Sequence, residues 1–332
     1  MDLLGKMKEK AKSKQKKLVL PEGTDPRTIK AAACIVEEGF AGEVIVIGKE
    51  PEIQKLAKPD GVNLKGITIV DPVESTDLER YAKEYYELRK HKGMTPEQAK
   101  TDIVDSLRWG SMMLHLGDVD AMVAGAENTT ADVLRAGLAI IGTQPGIKTV
   151  SSHFIIETNK PSLGVNGTLI FSDCGVIPNP TVEQLADIAL SAAQSCRDFL
   201  EVEPAVAMLS FSTKGSGGDH PDVLKVRNAL AIVKAKEPNL LVDGEVQLDT
   251  AIVPSILERK APDSPIKGKT NVLVFPDLNS GNIGVKIAQR IGDVGGFGPF
   301  LQGFAKPISD LSRSSTVKEI VDTCALTLAQ VK

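Results

Sequence analysis

The chain has little that would commit it to membrane, redox or nucleic-acid chemistry. Its four cysteines, Cys34, Cys174, Cys196 and Cys324, stand singly, with no CxxC pair and no metal-ligand spacing. A disulfide framework and a zinc knot are therefore excluded, and reduced core thiols are expected. Aromatic residues make up 4%, which leaves few platforms for stacking single-stranded bases. No sign of charge dominates, since 39 Lys plus Arg against 43 Asp plus Glu gives a net charge of -4. A binder of nucleic acid that works by counterion release needs a basic excess, so that class is disfavoured. No apolar run approaches the roughly 20 residues needed to cross a bilayer, and no apolar segment with a cleavage site follows the N-terminal lysines. These absences predict a cytoplasmic protein with no membrane partner. The one strongly basic stretch, Lys6 to Lys17, reads as a solvated first helix.

What is present is a regular alternation of short Val/Ile/Leu runs with longer amphipathic stretches, the pattern of a mainly parallel sheet covered by helices. The 332 residues are enough for two such domains. Strands are expected at Lys17–Leu20, Val44–Ile47, Ile67–Val70 and Asp120–Val123, and a helix over Arg27–Glu38 with an apolar face at Ile29, Ala32, Ala33 and Val36. Two more helices are expected at about 78–92 and 96–116. From about Thr149 the rhythm changes. Thr149–Glu157, Gly167–Ser172, Ala205–Phe211 and Asn271–Phe275 read as strands of a second sheet, and a Gly-rich turn at Gly295–Pro299 precedes a strand at Phe300–Gly303.

Familiar signatures of chemistry fail one by one. No GxGxxG follows a strand, and Gly268-Lys269-Thr270 lacks the earlier P-loop glycine because Asp263 stands there. No HExxH, GxSxG or paired histidines occur. Three loop-to-helix junctions remain, where unpaired N–H groups and the helix dipole favour an anion. They are Glu127-Asn128-Thr129-Thr130 followed by Arg135, Asn279-Ser280-Gly281-Asn282, and Ser312-Arg313-Ser314-Ser315-Thr316. Ser, Thr and Asn also cap helices routinely, and Arg offers a planar donor fork suited to phosphate. In the last junction, Thr316-Val-Lys-Glu319 is a capping box whose carboxylate is equally placed to act as a general base. Its flank Lys306–Arg313 reads as a polar surface loop.

At Pro299-Phe-Leu-Gln302-Gly303-Phe-Ala-Lys306-Pro307-Ile-Ser-Asp310-Leu311-Ser312-Arg313 the sequence closely resembles the C-terminal signature of the phosphate acetyl/butyryl transferase family. The likeness covers essentially the whole chain, including Ser210-Phe-Ser212-Thr213-Lys214-Gly215-Ser216, Lys260-Ala-Pro-Asp263-Ser-Pro265, Phe275-Pro276-Asp277-Leu278-Asn279 and Val123-Ala-Gly125-Ala126. It implies an α/β, two-domain, three-layer fold like that of isocitrate and isopropylmalate dehydrogenases, with a cleft between the domains. Residues 1–146 and 297–332 would form the first domain, and 147–296 a second one that makes a homodimer. The implied reaction is acetyl phosphate plus coenzyme A giving acetyl-CoA plus inorganic phosphate, with no cofactor, since coenzyme A is a substrate, and with no metal.

By position, the resemblance makes Arg313 the arginine that holds phosphate and acyl oxygen, and Ser312 the serine that places the thiol. Glu319 takes the place of the carboxylate that accepts the thiol proton. Arg89 and Arg135 would anchor coenzyme A. From the junctions themselves, Asn128, Thr129, Thr130 and Asn282 are expected to bind substrate or coenzyme A. The family pattern usually has Gly-Cys at Ser314-Ser315, Asp at Glu319 and Ala-His-Ser/Thr at Ala126-Glu127-Asn128. Three alternatives stay open: a propionyl or butyryl transferase, a metal-dependent NAD(P) 2-hydroxy-acid dehydrogenase using Asp243, Asp249 and Asp277, and a non-catalytic acetyl-CoA-binding regulator.

Overall fold

A computed structural model describes residues 3–331, which form two compact units. The first contains residues 3–144 and 304–331, and the second residues 145–303. In the first unit, strands β1 (Lys17–Leu20), β2 (Glu43–Ile47), β3 (Ile67–Val70), β4 (Ala121–Ala124) and β11 (Ile308–Asp310) make one parallel sheet in the order β11-β4-β1-β2-β3. Strands buried on both faces are apolar along their whole length, as Leu18, Val19, Leu20, Val44, Val46 and Ile47 are, each at most 1% exposed.

The helix Pro26–Glu38 shows how the sequence sets these elements. Asp25 caps it by accepting from the Arg27 N–H at 2.8 Å, Pro26 opens it, and Gly39, in the left-handed region, ends it. Its buried face is Thr28, Ile29, Ala31, Ala32 and Ile35, rotated from the expected one so that Ala33 and Val36 lie only partly covered. That helix packs on β2 and β3 and on the last helix, Val317–Gln330. Burial of each large aliphatic side chain there contributes about 1.5–3 kcal/mol. The basic segment is the helix Leu3–Lys14, whose Leu3, Met7 and Ala11 are buried, so only part of it is solvated. The long helical stretch expected over 96–116 breaks into Pro96–Asp102 and Ser106–Leu116, because Asp105 accepts from the Arg108 N–H and starts a new helix.

The second unit holds a mixed sheet. Strands β5 (Ser151–Glu157), β6 (Thr168–Ser172), β7 (Ala205–Leu209), β8 (Leu241–Val246), β9 (Val272–Val274) and β10 (Gly295–Gln302) lie in the order β10-β5-β6-β9-β7-β8. The β10–β5 and β5–β6 pairs are antiparallel and the rest parallel. Strand β10 corrects two expectations. The glycines of Gly295–Pro299 do not form a turn; they run in an antiparallel ladder whose register shifts between Phe297 and Phe300. Residues 297–302, assigned from sequence to the first domain, therefore lie in this second sheet, and Gly303 ends the second unit.

Two further elements escaped hydrophobic patterning for a physical reason. Strand β8, LVDGEV, buries Asp243 and Glu245, each at most 2% exposed, because Lys214 pairs with the first and Arg227 with the second, at 2.9 Å. Strand β11 lies inside the stretch expected as a surface loop, and its Ile308, Ser309 and Asp310 are all buried. Cys174, Cys196 and Cys324 are buried free thiols, Cys196 being pushed up to about 12 by burial. Among the described residues no helix is long and apolar enough to cross a membrane.

Candidate active site

Because β1, β4 and β11 are parallel neighbours, their carboxyl ends emerge side by side in the first unit. The chain leaves β1 for β2 on one side, whereas β4 and β11 add on the other. This is the topological switch point, where open α/β sheets gather ligands. Three segments meet there: Pro21–Arg27 after β1, Gly125–Thr130 after β4, and Leu311–Thr316 after β11.

Pro21–Arg27 was not singled out from the sequence, yet it organises the other two. The Glu22 carboxylate, 2% exposed, accepts from the N–H groups of Gly125 and Ala126 at 2.9 and 2.8 Å on one oxygen. The other oxygen accepts from the N–H groups of Glu127 and Asn128 at 3.0 and 2.8 Å, and from Asn128 Nδ2 at 2.9 Å. Thr24 donates to Glu127 at 2.6 Å. Gly125 is required at the turn, since its φ is +106° and a Cβ would stand 2.3 Å from Asp310 Oδ1. The N–H groups of Gly125 to Asn128 are thus committed to an anion of the chain's own, Glu22.

At each of the other two junctions a carboxylate caps the helix. Asp277 accepts from the Ser280 N–H at 2.8 Å to cap the helix Leu278–Arg290, in the second unit, where Asn282 Nδ2 donates to the Cys174 carbonyl at 3.1 Å. Thr316 and Glu319 form the full capping box: Thr316 Oγ1 accepts from the Glu319 N–H at 3.2 Å and Glu319 Oε2 from the Thr316 N–H at 2.7 Å. Both bonds made by the Glu319 carboxylate land on Oε2, and the residue is exposed.

The remaining expected residues divide by how far their donors are committed. Asn128 is bound to Glu22, Thr129 caps the helix Thr130–Ile140 and donates to Asp132 at 2.6 Å, and Thr130 donates to the buried Asp310. Asp310 has its other oxygen buried without a partner, and burial pushes its carboxyl up to about 7, with the nearby Glu22 charge acting in the same direction. Arg135 pairs with Asp132 at 2.6 Å but is 67% exposed. Arg89 ends the helix Leu78–Arg89, which packs on Thr130–Ile140, and its Nε is buried without a partner. Ser312, Arg313 and Ser314 are exposed, with the two serine hydroxyls 2.8 Å apart. Unspent hydrogen-bonding capacity at this end of the sheet thus lies in the Arg313 guanidinium and its flanking hydroxyls.

A family model for phosphate acetyl/butaryl transferase matches residues 2–328. The chain belongs to that family. It is 54% identical over 332 residues to a phosphate acetyltransferase of Treponema pallidum, covering 99% of each chain. A crystal structure of a phosphotransacetylase from Streptococcus pyogenes aligns with a TM-score of 0.92 and 42% identity, over 99% of this chain and 98% of that one. A 4-hydroxythreonine-4-phosphate dehydrogenase from Klebsiella pneumoniae, at TM-score 0.54 and 13% identity over 96% of this chain and 100% of its own, shares the α/β fold of the dehydrogenases. In this family member the carboxylates considered for a metal are otherwise engaged. Asp243 pairs with Lys214, Asp249 with Lys260 at 3.2 Å, and Asp277 caps a helix. Among the described residues no group of three or more His, Cys, Asp and Glu is placed to hold a metal ion.

Proposed function

We propose that the chain interconverts acetyl phosphate plus coenzyme A and acetyl-CoA plus inorganic phosphate, by direct attack of the coenzyme A thiolate on the acyl carbon in a ternary complex. The observation that carries this reading is the exposed Ser312-Arg313 pair at the switch point of a chain 54% identical, end to end, to a relative named for the reaction. Even a cysteine thiol has a pKa of about 8.5, and an alkyl thiol such as that of coenzyme A is mostly protonated at neutral pH, so the reaction needs a proton acceptor. Glu319 is our candidate, using the carboxylate that also closes the capping box. As sulfur bonds to carbon, the carbonyl electrons move onto the acyl oxygen and then expel phosphate. Arg313 would meet that charge with a planar donor fork. Ser312 would orient the thiol, while Arg89 and Arg135 would bind the phosphates of coenzyme A. Asn128, Thr129 and Thr130 would shape the surroundings of the substrate through their own hydrogen bonds; Asn282, in the second unit, is kept as a candidate substrate contact. The scheme requires no covalent enzyme intermediate and no cofactor.

We also read the protein as a cytoplasmic homodimer. Four free thiols suit a reducing compartment. Ile283, Ile287 and Ile291 are 55%, 52% and 80% exposed, and they recur at helical spacing along one face of Leu278–Arg290 and its end, a stripe suited to a second copy.

Thioester formation from coenzyme A and a panel of acyl phosphates tests the activity and the preference for acetyl over propionyl or butyryl. Arg313→Gln should lower kcat by about 10²–10³, the scale for losing an electrostatic donor to a transition-state oxyanion. Its melting temperature should be that of the parent, since the side chain is exposed. Retained turnover in that variant would overturn the assignment.

A further inference from the structure

Arg27 is the second residue of the helix Pro26–Glu38. A cation in a first turn opposes the helix dipole, so helix formation does not account for arginine there. Its hydrogen bonds do. The side chain, about one-third exposed, spends all of its N–H groups on the protein. Nε and Nη2 bind the two oxygens of Asp25 at 3.1 and 2.6 Å, which fixes the plane of the guanidinium. The second Nη2 donor reaches the Ala126 carbonyl at 2.7 Å, and Nη1 reaches the carbonyls of Arg313 and Ser315, each at 2.8 Å. A guanidinium carries five N–H donors, and these five acceptors leave none for a substrate.

Two of the three carbonyls bracket the loop that presents Arg313, and one is the carbonyl of Arg313 itself. The third belongs to the Gly125–Asn128 loop, whose N–H groups are held by Glu22. Both loops are therefore tied to the end of β1 through one rigid plane. Lysine could not replace it, because a single ammonium cannot span three carbonyls and a carboxylate at once.

We propose that Arg27 is a positioning residue for acyl transfer, fixing the backbone of Arg313, and with it the aim of that guanidinium, without touching substrate. This rests on the reading that Arg313 meets the reacting group, and the test separates the two.

Arg27→Lys, Arg27→Gln and Arg27→Ala should each lower kcat per folded molecule by about 10–100-fold, the loss expected when a reacting geometry moves by about 1 Å. The Michaelis constant for coenzyme A should stay within about threefold of the parent, since Arg89 and Arg135 keep their places. Free guanidinium ion, added to Arg27→Ala, should restore part of kcat and leave the parent unimproved. A purely structural role would lower the melting temperature, leave kcat of the folded fraction unchanged and give no rescue. That result, or an equal rise in the coenzyme A Michaelis constant, would overturn the proposal. If Arg27→Ala does not fold, kcat and the Michaelis constant of the milder Lys and Gln variants decide. Arg313→Gln is assayed beside them. If it is active, the reading of the site fails; if it is inactive while the Arg27 variants turn over normally, the positioning proposal alone fails.

Discussion

The Glu22 carboxylate offers a quantitative test of how the site is held together, because an isosteric substitution changes only its hydrogen-bonding capacity. In Glu22→Gln the amide oxygen can keep the bonds from Glu127 N, Asn128 N and Asn128 Nδ2. The new NH2 then faces the Gly125 and Ala126 N–H groups, which now sit 2.9 and 2.8 Å from a carboxylate oxygen, so donors meet donors. Hydrogen bonds to a charged group contribute about 1.5–3 kcal/mol each, and losing two sets an upper range near 3–6 kcal/mol. Loop relaxation and entry of water recover part of this, so the expected cost is about 3 kcal/mol. Against a total stability of about 5–15 kcal/mol that is a large fraction. For a unit of this size it corresponds to a fall in melting temperature of roughly 6–12 °C. Urea unfolding at neutral pH, monitored by far-ultraviolet circular dichroism and compared at equal m-value, measures the cost directly. A loss below about 1 kcal/mol would refute the argument, because it would mean that water or backbone shifts satisfy the two orphaned N–H groups almost as well as the carboxylate does.

Three other outcomes are expected. Glu319→Gln retains the capping-box side chain but cannot accept a proton, so stability should hold within about 0.5 kcal/mol while kcat falls by about 10²–10⁴ and loses its acidic limb; unchanged kcat would leave Glu319 a cap alone. Asp310 has its folded pKa raised from 3.8 to about 7, so the native state holds a proton that the unfolded chain releases. Its contribution to stability is therefore complete below about pH 4 and lost as the pH climbs through about 7; Asp310→Asn should flatten that part of the urea-midpoint profile, and an unaltered slope would contradict the assignment. Ile287→Glu, at the centre of the exposed stripe on Leu278–Arg290, should convert a dimer to monomers in sedimentation velocity, whereas a variant that still sediments as the dimer would move the interface elsewhere.

The Arg313 segment and its surroundings show how much of the site was legible in residue order and why the rest was not. Ser312, Arg313 and Glu319 are close in sequence, so a motif could expose them together, and the capping box could be read from Thr316 and Glu319 because its geometry is local. Glu22 and Arg27 gave no such signal. The partners of Glu22 lie 103 to 106 positions away and the carbonyls held by Arg27 lie 99 to 288 positions away, and only the pairing of β1 with β4 and of β4 with β11 brings those loops together. Strand β11 was hidden for a related reason. Its Asp310 reads as polar surface in sequence, yet it is buried beside the Thr130 hydroxyl.

By itself the sequence determined the α/β class, most of the parallel strands, the helix Pro26–Glu38 and the family, because hydrophobic period, caps and contiguous motifs are properties of neighbouring residues. The tertiary structure decided what the charges do. It turned a loop amenable to phosphate into a nest for the chain's own carboxylate, moved residues 297–302 into the second sheet, and left the Arg313 guanidinium exposed where the ends of three strands meet. Those outcomes depend on which distant segments become adjacent, and an N–H or carboxylate accepts whichever partner the fold brings within about 3 Å.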